Sequence, residues 1–248
     1  TGYMHYAAIK SDGSLWMWGR QYCGEFGNNS TTASSQPTKV LTSGVRSVST
    51  GGQTTAIIKD DNSLWMSGRN DFGQIGTGTT DVVKKFIKIL DNVKSAVAGW
   101  GVSFAVSDNG QLYGWGRNDK NQLLNDTVFY DATPKVIMED VAIVSASVTE
   151  SDYFAAIKNN GELIVWGDGI AEPKIVDQDV SSVSVGRNYV EYVKSDGTLW
   201  AFGENNYAQL GNGLSEDISI PIRIAEGVSS IQSSSETTFV LKENGSVW

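Results

Sequence analysis

The chain has 248 residues, 40% of them hydrophobic and 19% charged, which is ordinary for a globular domain with a substantial core. Twenty-eight Asp and Glu against nineteen Lys and Arg leave a net charge of −9, so no basic field is available for nucleic-acid phosphates or anionic lipid. No apolar run is long enough to span a bilayer as a helix, and a single cysteine, Cys23, excludes an internal disulfide.

The opening residues, TGYMHYAAIK, already read as repeat sequence; no signal peptide is visible and none is ruled out. One phrase then recurs: SDGSLWMWG at Ser11–Gly19, DDNSLWMSG at Asp60–Gly68, DNGQLYGWG at Asp108–Gly116, NNGELIVWG at Asn159–Gly167 and SDGTLWAFG at Ser195–Gly203, with a shortened ENGSVW at Trp248. The aligned Leu15, Leu64, Leu112, Leu163, Leu199 and Val247 are separated by 49, 48, 51, 36 and 48 residues. A period near 50 marks a repeat architecture.

Each unit reads as four short strands. In the second, Val45–Val48, Ser63–Met66 and Phe86–Ile89 alternate and Thr55–Ile58 is apolar, all bounded by Gly, Asn, Asp or Ser. Between the second and third strands sit Asp12-Gly13, Asp61-Asn62, Asn109-Gly110, Asn160-Gly161, Asp196-Gly197 and Asn244-Gly245. These dipeptides predict tight type I′ hairpins. Pro37, Pro134, Pro173 and Pro221 open the fourth segment, which predicts an outer, edge strand because proline cannot donate to a ladder. Four antiparallel strands repeated radially make an all-β propeller.

These residues carry a family resemblance. Gly2…His5…Ala8-Ile9-Lys10, the run Gly68-Arg69-Asn70-Asp71-Phe72-Gly73-Gln74-Ile75-Gly76 and the run Gly203–Gly211 make the chain similar to the regulator of chromosome condensation repeat family. The resemblance covers the whole chain and implies a propeller, typically of seven blades. The fourth unit departs from it by losing the Gly-Gln-Leu-Gly loop, the third by Leu124 in place of Gly, and His5 is replaced by Thr54, Val102, Tyr153, Tyr189 and Thr237. The expected blade units are 1–44, 45–92, 93–140, 141–179, 180–227 and 228–248, the first and last incomplete. At ~50 residues per unit a seven-bladed ring needs roughly 350 residues. The expectation is therefore five to six blades, an incomplete part of a seven-bladed ring, forming an open arc whose edges self-associate.

Catalytic chemistry is mostly missing from the sequence. His5 is the one histidine and sits at a structural repeat position, so Ser-His-Asp catalysis would rest on it alone, without a G-x-S-x-G motif. Cys23 aligns with Phe72, Lys120 and Tyr207, too varied a set for a nucleophile. One Cys and one His cannot supply a zinc site, and Asp119-Lys120-Asn121 lacks the glycine and closing glutamate of a calcium loop. The expectation is no catalytic residue, no metal and no cofactor. Trp16, Trp18, Trp65, Trp115, Trp166 and Trp200 recur at strand positions and are expected to pack between blades.

One constellation escapes the repeat. The loops between first and second strands hold Tyr3-Met4-His5, Gly52-Gln53-Thr54, Trp100-Gly101-Val102, Ser151-Asp152-Tyr153, Arg187-Asn188-Tyr189 and Ser235-Glu236-Thr237. Exposed loop aromatics and arginines are common interface anchors. Tyr3, Met4, Gln53, Trp100, Asp152, Tyr153, Arg187, Asn188, Tyr189 and Glu236 are therefore the candidate partner-binding residues, with Trp100, Tyr3, Tyr153, Arg187 and Tyr189 expected at least partly exposed. The leading reading is a non-enzymatic scaffold for a protein or a glycan. The alternatives are a guanine-nucleotide exchange factor for a small GTPase, which the absence of a wedge insertion opposes, and a propeller hydrolase or lyase. The wording of the repeat resembles bacterial members of the family, many of them exported, which implies an exported or cell-surface place; neither nucleic acid nor membrane insertion is expected.

Overall fold

A computed structural model of the chain describes residues 2–125, 129–150, 153–167 and 170–248, which form 21 β-strands and no helix. Two compact units emerge, Thr1–Glu139 and Asp140–Trp248. In the first, β1 (His5–Ile9), β2 (Leu15–Gly19) and β3 (Ser34–Leu41) make a three-stranded sheet. Two four-stranded sheets follow: β4 (Val45–Thr50), β5 (Thr54–Lys59), β6 (Leu64–Gly68) and β7 (Val83–Leu90), then β8 (Val93–Ala98), β9 (Val102–Ser107), β10 (Leu112–Arg117) and β11 (Tyr130–Met138).

In the second unit, β12 (Val141–Ala146), β13 (Tyr153–Lys158), β14 (Leu163–Gly167) and β15 (Ile170–Asp177) form one sheet, and β16 (Val180–Val185), β17 (Tyr189–Lys194), β18 (Leu199–Gly203) and β19 (Ile218–Ala225) another. A two-stranded sheet, β20 (Val228–Ser233) and β21 (Thr238–Lys242), follows. Every sheet is an antiparallel meander in which sequence neighbours are spatial neighbours, the blade unit of a β-propeller.

The hairpin turns differ from the predicted type. Positive φ occurs only at the second residue of each dipeptide, Gly13, Asn62, Gly110, Gly161, Gly197 and Gly245, and never at the first. Gly13 N–H donates to Lys10 O and Lys10 N–H to Ser14 O, a three-residue loop with one left-handed position rather than a two-residue I′ turn. The first residue is instead an acceptor: Asp12 and Asp61 take the amides of Ser14 and Ser63 at 2.9 and 3.0 Å. The Ser14 and Ser63 hydroxyls and amides hold both carboxyls below the usual range.

The prolines lie on the outer strands, within a bulge that β7 also has without a proline. Met17 pairs with Thr38 and Gly19 with Ser34, so the residues between, Pro37 included, oppose Trp18 alone. The same shift surrounds Pro134, Pro173 and Pro221.

The tryptophans divide into two columns. Trp115 and Trp166 are fully buried and form the packed set that was expected. Trp16, Trp18, Trp65 and Trp200 are only half-buried, although Trp65 and Trp200 pack against the clusters between sheets as expected. Trp16, Trp65 and Trp200 stand two residues before the Trp115 and Trp166 position, on the same face but nearer the turn, where each indole N–H donates to the turn hydroxyl, Ser14, Ser63 or Thr198. A lysine from the neighbouring strand covers the ring, closest at Trp65, where Lys59 Nζ is 3.7 Å from the centroid.

The core lies between facing sheets. In the first unit Leu15, Met17, Phe26, Val45 and Ile57 form one cluster, and Ile58, Leu64, Met66, Ile75, Val93 and Trp115 belong to another. In the second unit Ile157, Leu163, Val180, Tyr192 and Phe202 do the same work. Each fully buried aliphatic side chain contributes about 2 kcal/mol of transfer free energy. A repeated serine adds direction: Ser49 accepts the amide of Ala98, Ser145 that of Val185 and Ser184 that of Ser233, at 3.0, 3.1 and 2.8 Å. Each bond joins the first strand of one sheet to the first strand of the next.

Candidate functional site

The loops that leave the first strands are locked to their neighbours by backbone bonds, which fixes the side chains they present. In the first unit Tyr3 N–H donates to Gly51 O at 3.1 Å and Gly52 N–H to Gly99 O at 3.3 Å. Glycine is required at 51, because a Cβ there would stand 2.7 Å from the Ala98 carbonyl. Gly52 leaves room for the Trp100 ring, whose Cε3 is 2.5 Å from the place a Cβ would take. Trp100 thereby crosses to Tyr3, edge to face, with centroids 5.4 Å apart. Tyr3 and Met4 are exposed, Trp100 and Gln53 half-buried.

A second set of loops, after the third strands, stands beside the first. Arg20, Arg69 and Arg117 occupy equivalent positions, each donating its amide into the neighbouring loop, to Met4, Gln53 and Gly101 O. Arg69 pairs with Asp71 at 2.6 Å and reaches Gln53 Oε1 at 3.1 Å; Arg117 pairs with Asp119 and lies over the Phe72 ring. Arg20 has a different setting, on the face of Tyr22 with its guanidinium carbon 4.5 Å from the centroid. Sequence reasoning passed over these arginines; the recurrence of Arg after the terminal glycine of the third strand was the signal that could have found them.

In the second unit, Arg187 is exposed and pairs with half-buried Glu236 at 3.1 Å, while its amide donates to Ser235 O. Asn188 donates to Glu204 at 3.2 Å. Tyr153 is half-buried at the start of β13 against the Phe202 ring. Asp152, with Ser151, lies outside the described residues. Tyr189 corrects the sequence expectation: it is fully buried, 0% exposed, as the first residue of β17. Its hydroxyl donates inward to Thr237 O at 3.1 Å, and burial pushes its pKa up to about 12. In four of the six loop sets the third residue opens a strand and is buried, as His5, Thr54 and Val102 also are; Tyr153 opens β13 half-buried, and Thr237 precedes β21 and is exposed.

The ionisable groups here are built for structure. His5 is buried, its Nε2 3.0 Å from Thr55 Oγ1, and burial lowers its pKa to about 4. This pair has the spacing of a nucleophile and base, but both residues are at most 1% exposed and no substrate reaches them. Burial raises the Cys23 thiol, the opposite of activation. Among the described residues no group of three or more His, Cys, Asp or Glu is placed to hold a metal, and no helix is long and apolar enough to cross a membrane. The second unit has a cavity of about 420 Å³ with Leu199, Leu210, Ile224 and Val240 as apolar walls and Glu191 and Gln209 as polar ones. What the loops do offer is aromatic faces, guanidinium groups and amides, the chemistry of recognition.

Models of the regulator of chromosome condensation (RCC1) repeat match residues 12–58 and 196–241 and, in a second form, 45–74 and 93–122, together more than half of the chain. The chain belongs to the RCC1 repeat family. Its β-propeller fold is that of solved RCC1-like structures: human WBSCR16 at TM-score 0.85 and 20% identity, covering 97% of this chain and 70% of that one, and Prp20p from Saccharomyces cerevisiae at 0.81 and 17%, covering 96% and 66%. Among curated relatives, the regulator of chromosome condensation of Mus musculus is 27% identical over 144 residues, and the ultraviolet-B receptor UVR8 of Arabidopsis thaliana 26% over 149. These matches span half of this chain and 34% of each relative; the match to human E3 ubiquitin-protein ligase HERC2 spans 3% of that protein. The relatives named are eukaryotic and give the expected bacterial, exported placement no support.

Proposed function

We propose that this RCC1-repeat chain is a non-enzymatic binding scaffold whose loop ends hold a protein partner. The observation that carries the reading is the Tyr3–Trp100 pair: two large aromatics held against each other at the loop end, over a glycine that makes room for them, with Met4 and Tyr22 exposed. Aromatic side chains fixed in this way lose little conformational entropy on binding. The kind of partner agrees with yeast RCC1 (Prp20), solved bound to Kap60. The buried, hydrogen-bonded state of His5 and the raised Cys23 thiol favour recognition over catalysis.

The test is capture of a partner by the immobilised chain, with Trp100→Ala compared against Lys94→Ala at the other end of the sheet. Truncating an aromatic anchor costs ~2 kcal/mol of binding, roughly thirtyfold in affinity. Trp100→Ala is expected to lose the partner at an unchanged melting temperature, while Lys94→Ala keeps it. Equal capture by both variants removes the loop end from the interface.

A further inference from the structure

The three equivalent arginines of the first unit show what each guanidinium is shaped to hold. Arg69 and Arg117 are followed two residues later by Asp71 and Asp119, and each forms an ion pair with that carboxylate. Arg20 is followed at the same spacing by Tyr22. Its guanidinium stacks on that ring, and Nη1 reaches the Met4 thioether at 3.5 Å, a weak acceptor. No carboxylate lies within 4.0 Å of it among the described residues. Its Nε is buried and without a hydrogen-bond partner. The loop's own carboxylate, Glu25, is buried and turned to the Cys23 amide at 2.8 Å.

The loop is bordered by two exposed lysines and an apolar rim; of the nearby carboxylates, Asp71 pairs with Arg69, and Asp81 lines a pocket together with the two lysines. Lys84 and Lys85 of β7 are exposed beside the loop, where Asn29 N–H donates to Lys84 O and Asn28 bridges to Lys85. Tyr22 is 63% exposed and Tyr3 and Met4 45% each. A guanidinium stacked on an aromatic ring is already oriented, so a carboxylate arriving from outside meets a fork that has little entropy left to lose.

We propose that the Gly19–Gly27 loop docks an acidic protein segment, one carboxylate of which completes at Arg20 the ion pair that Asp71 and Asp119 complete within the chain. Apolar side chains flanking that carboxylate rest on Tyr22, Met4 and Tyr3, and the nearby lysines steer the approach. This inference rests on the scaffold reading above and specifies the partner's chemistry.

The probe is an N-acetylated, C-amidated peptide of alternating Glu and Leu, titrated to about 10 mM against the labelled chain while the arginine Nε–H signals are followed. The expected result is a saturable shift of the Arg20 signal with Arg69 unmoved. The Gln-for-Glu peptide binds at least about tenfold more weakly. Tyr22→Asp supplies the missing carboxylate in cis and abolishes the shift, and Arg20→Gln abolishes binding; melting temperatures confirm that both variants fold. An unmoved Arg20 signal, equal binding of the Gln peptide, or undiminished binding by Tyr22→Asp overturns the proposal. A response to inorganic phosphate but not to the Glu peptide also overturns it, in favour of a phosphate-bearing partner. If Tyr22→Asp captures the protein partner as the parent chain does while Trp100→Ala loses it, the acidic-segment proposal fails and the scaffold reading stands.

Discussion

Thr238 holds its hydroxyl oxygen 2.8 Å from Oε2 of Glu191, and the same oxygen is 3.2 Å from the Gln209 carbonyl. Ser233 donates to that carboxyl oxygen as well, at 2.8 Å. Glu191 stands on β17 where the other sheets carry Ala7, Ala56, Phe104, Ala155 and Phe239, and it is 1% exposed. Against an ionised Glu191, the one Thr238 hydrogen faces two acceptors. A neutral Glu191 donates from Oε2 to Thr238 and frees that hydrogen for Gln209, so the protonated acid satisfies the network. Burial, opposed by the Thr238 and Ser233 bonds, pushes the carboxyl up to about 7.

The sign of the pH dependence follows. Glu191 ionises near 4.5 when unfolded and near 7 when folded, so its contribution is full below 4.5, falls as pH rises to 7 and is flat above. His5 acts in the other direction: neutral in the fold down to about 4, it penalises folding as pH drops below its ordinary 6.5. The two trends oppose each other in the parent chain. Glu191→Gln, which keeps the size and one donor, is expected to gain up to about 3 kcal/mol over the parent at pH 8 relative to pH 4.5. Urea unfolding midpoints at the two pH values check this; a constant difference between the chains rejects a buried neutral acid.

The two tryptophan columns predict separate outcomes. Trp115 is fully buried and its indole N–H donates to Gln74 O at 2.8 Å, tying β10 to the loop of the preceding sheet. Trp115→Ala is expected to cost about 3–5 kcal/mol. Trp65→Ala removes a half-exposed ring under Lys59 and is expected to cost about 1 kcal/mol. Melting temperatures of the two variants order them; equal losses would show that the outer column also carries the fold.

The period-50 phrase carried the strands, the sheet order and the outer-edge prolines, because alternation and breakers act locally. What it did not carry is how fully a side chain is covered by its neighbours. Trp16 and Trp18 lie two residues apart on the same face of β2 and are both half-buried, whereas the counterparts of Trp18 at 115 and 166 are covered completely and fill the core. Tyr189 reads as a loop aromatic beside Arg187, yet the next residue along a strand start is the one that turns inward. Glu191 and Tyr22 were legible in a stricter way, as single residues that break a repeated column: a carboxyl among alanines and phenylalanines, and a ring where Asp71 and Asp119 pair with arginine.

Two glycines with left-handed backbone separate strain from collision. Gly213 has φ +79° and nothing within 4 Å of an added Cβ, so Gly213→Ala costs the backbone penalty alone, about 1–2 kcal/mol. Gly27 has φ +64°, and a Cβ would stand 2.3 Å from the Phe86 ring, which packs against the Leu15, Met17 and Phe26 cluster. Gly27→Ala therefore adds overpacking of a further ~1–3 kcal/mol. Thermal melts should show the Gly27 variant losing distinctly more; similar losses would mean that Phe86 moves aside freely.

Arg187 and Tyr189, two residues apart, give the sharpest test of which loop residues are surface. Arg187 is exposed and its pair with Glu236 is a solvent-facing ion pair, so Arg187→Ala is expected to change stability by less than about 1 kcal/mol. Tyr189 packs with Ala201 and Leu210 and donates to Thr237 O at 3.1 Å. Removing only that hydroxyl loses its hydrogen bond while the Thr237 carbonyl keeps the Ser234 amide at 2.9 Å, and Tyr189→Phe should cost about 1 kcal/mol. Tyr189→Ala adds the loss of the ring, for about 3–5 kcal/mol in all. If the parent and Tyr189→Phe unfold at the same urea concentration with equal slopes, the inward hydrogen bond contributes nothing. The tyrosine is then held by apolar packing alone.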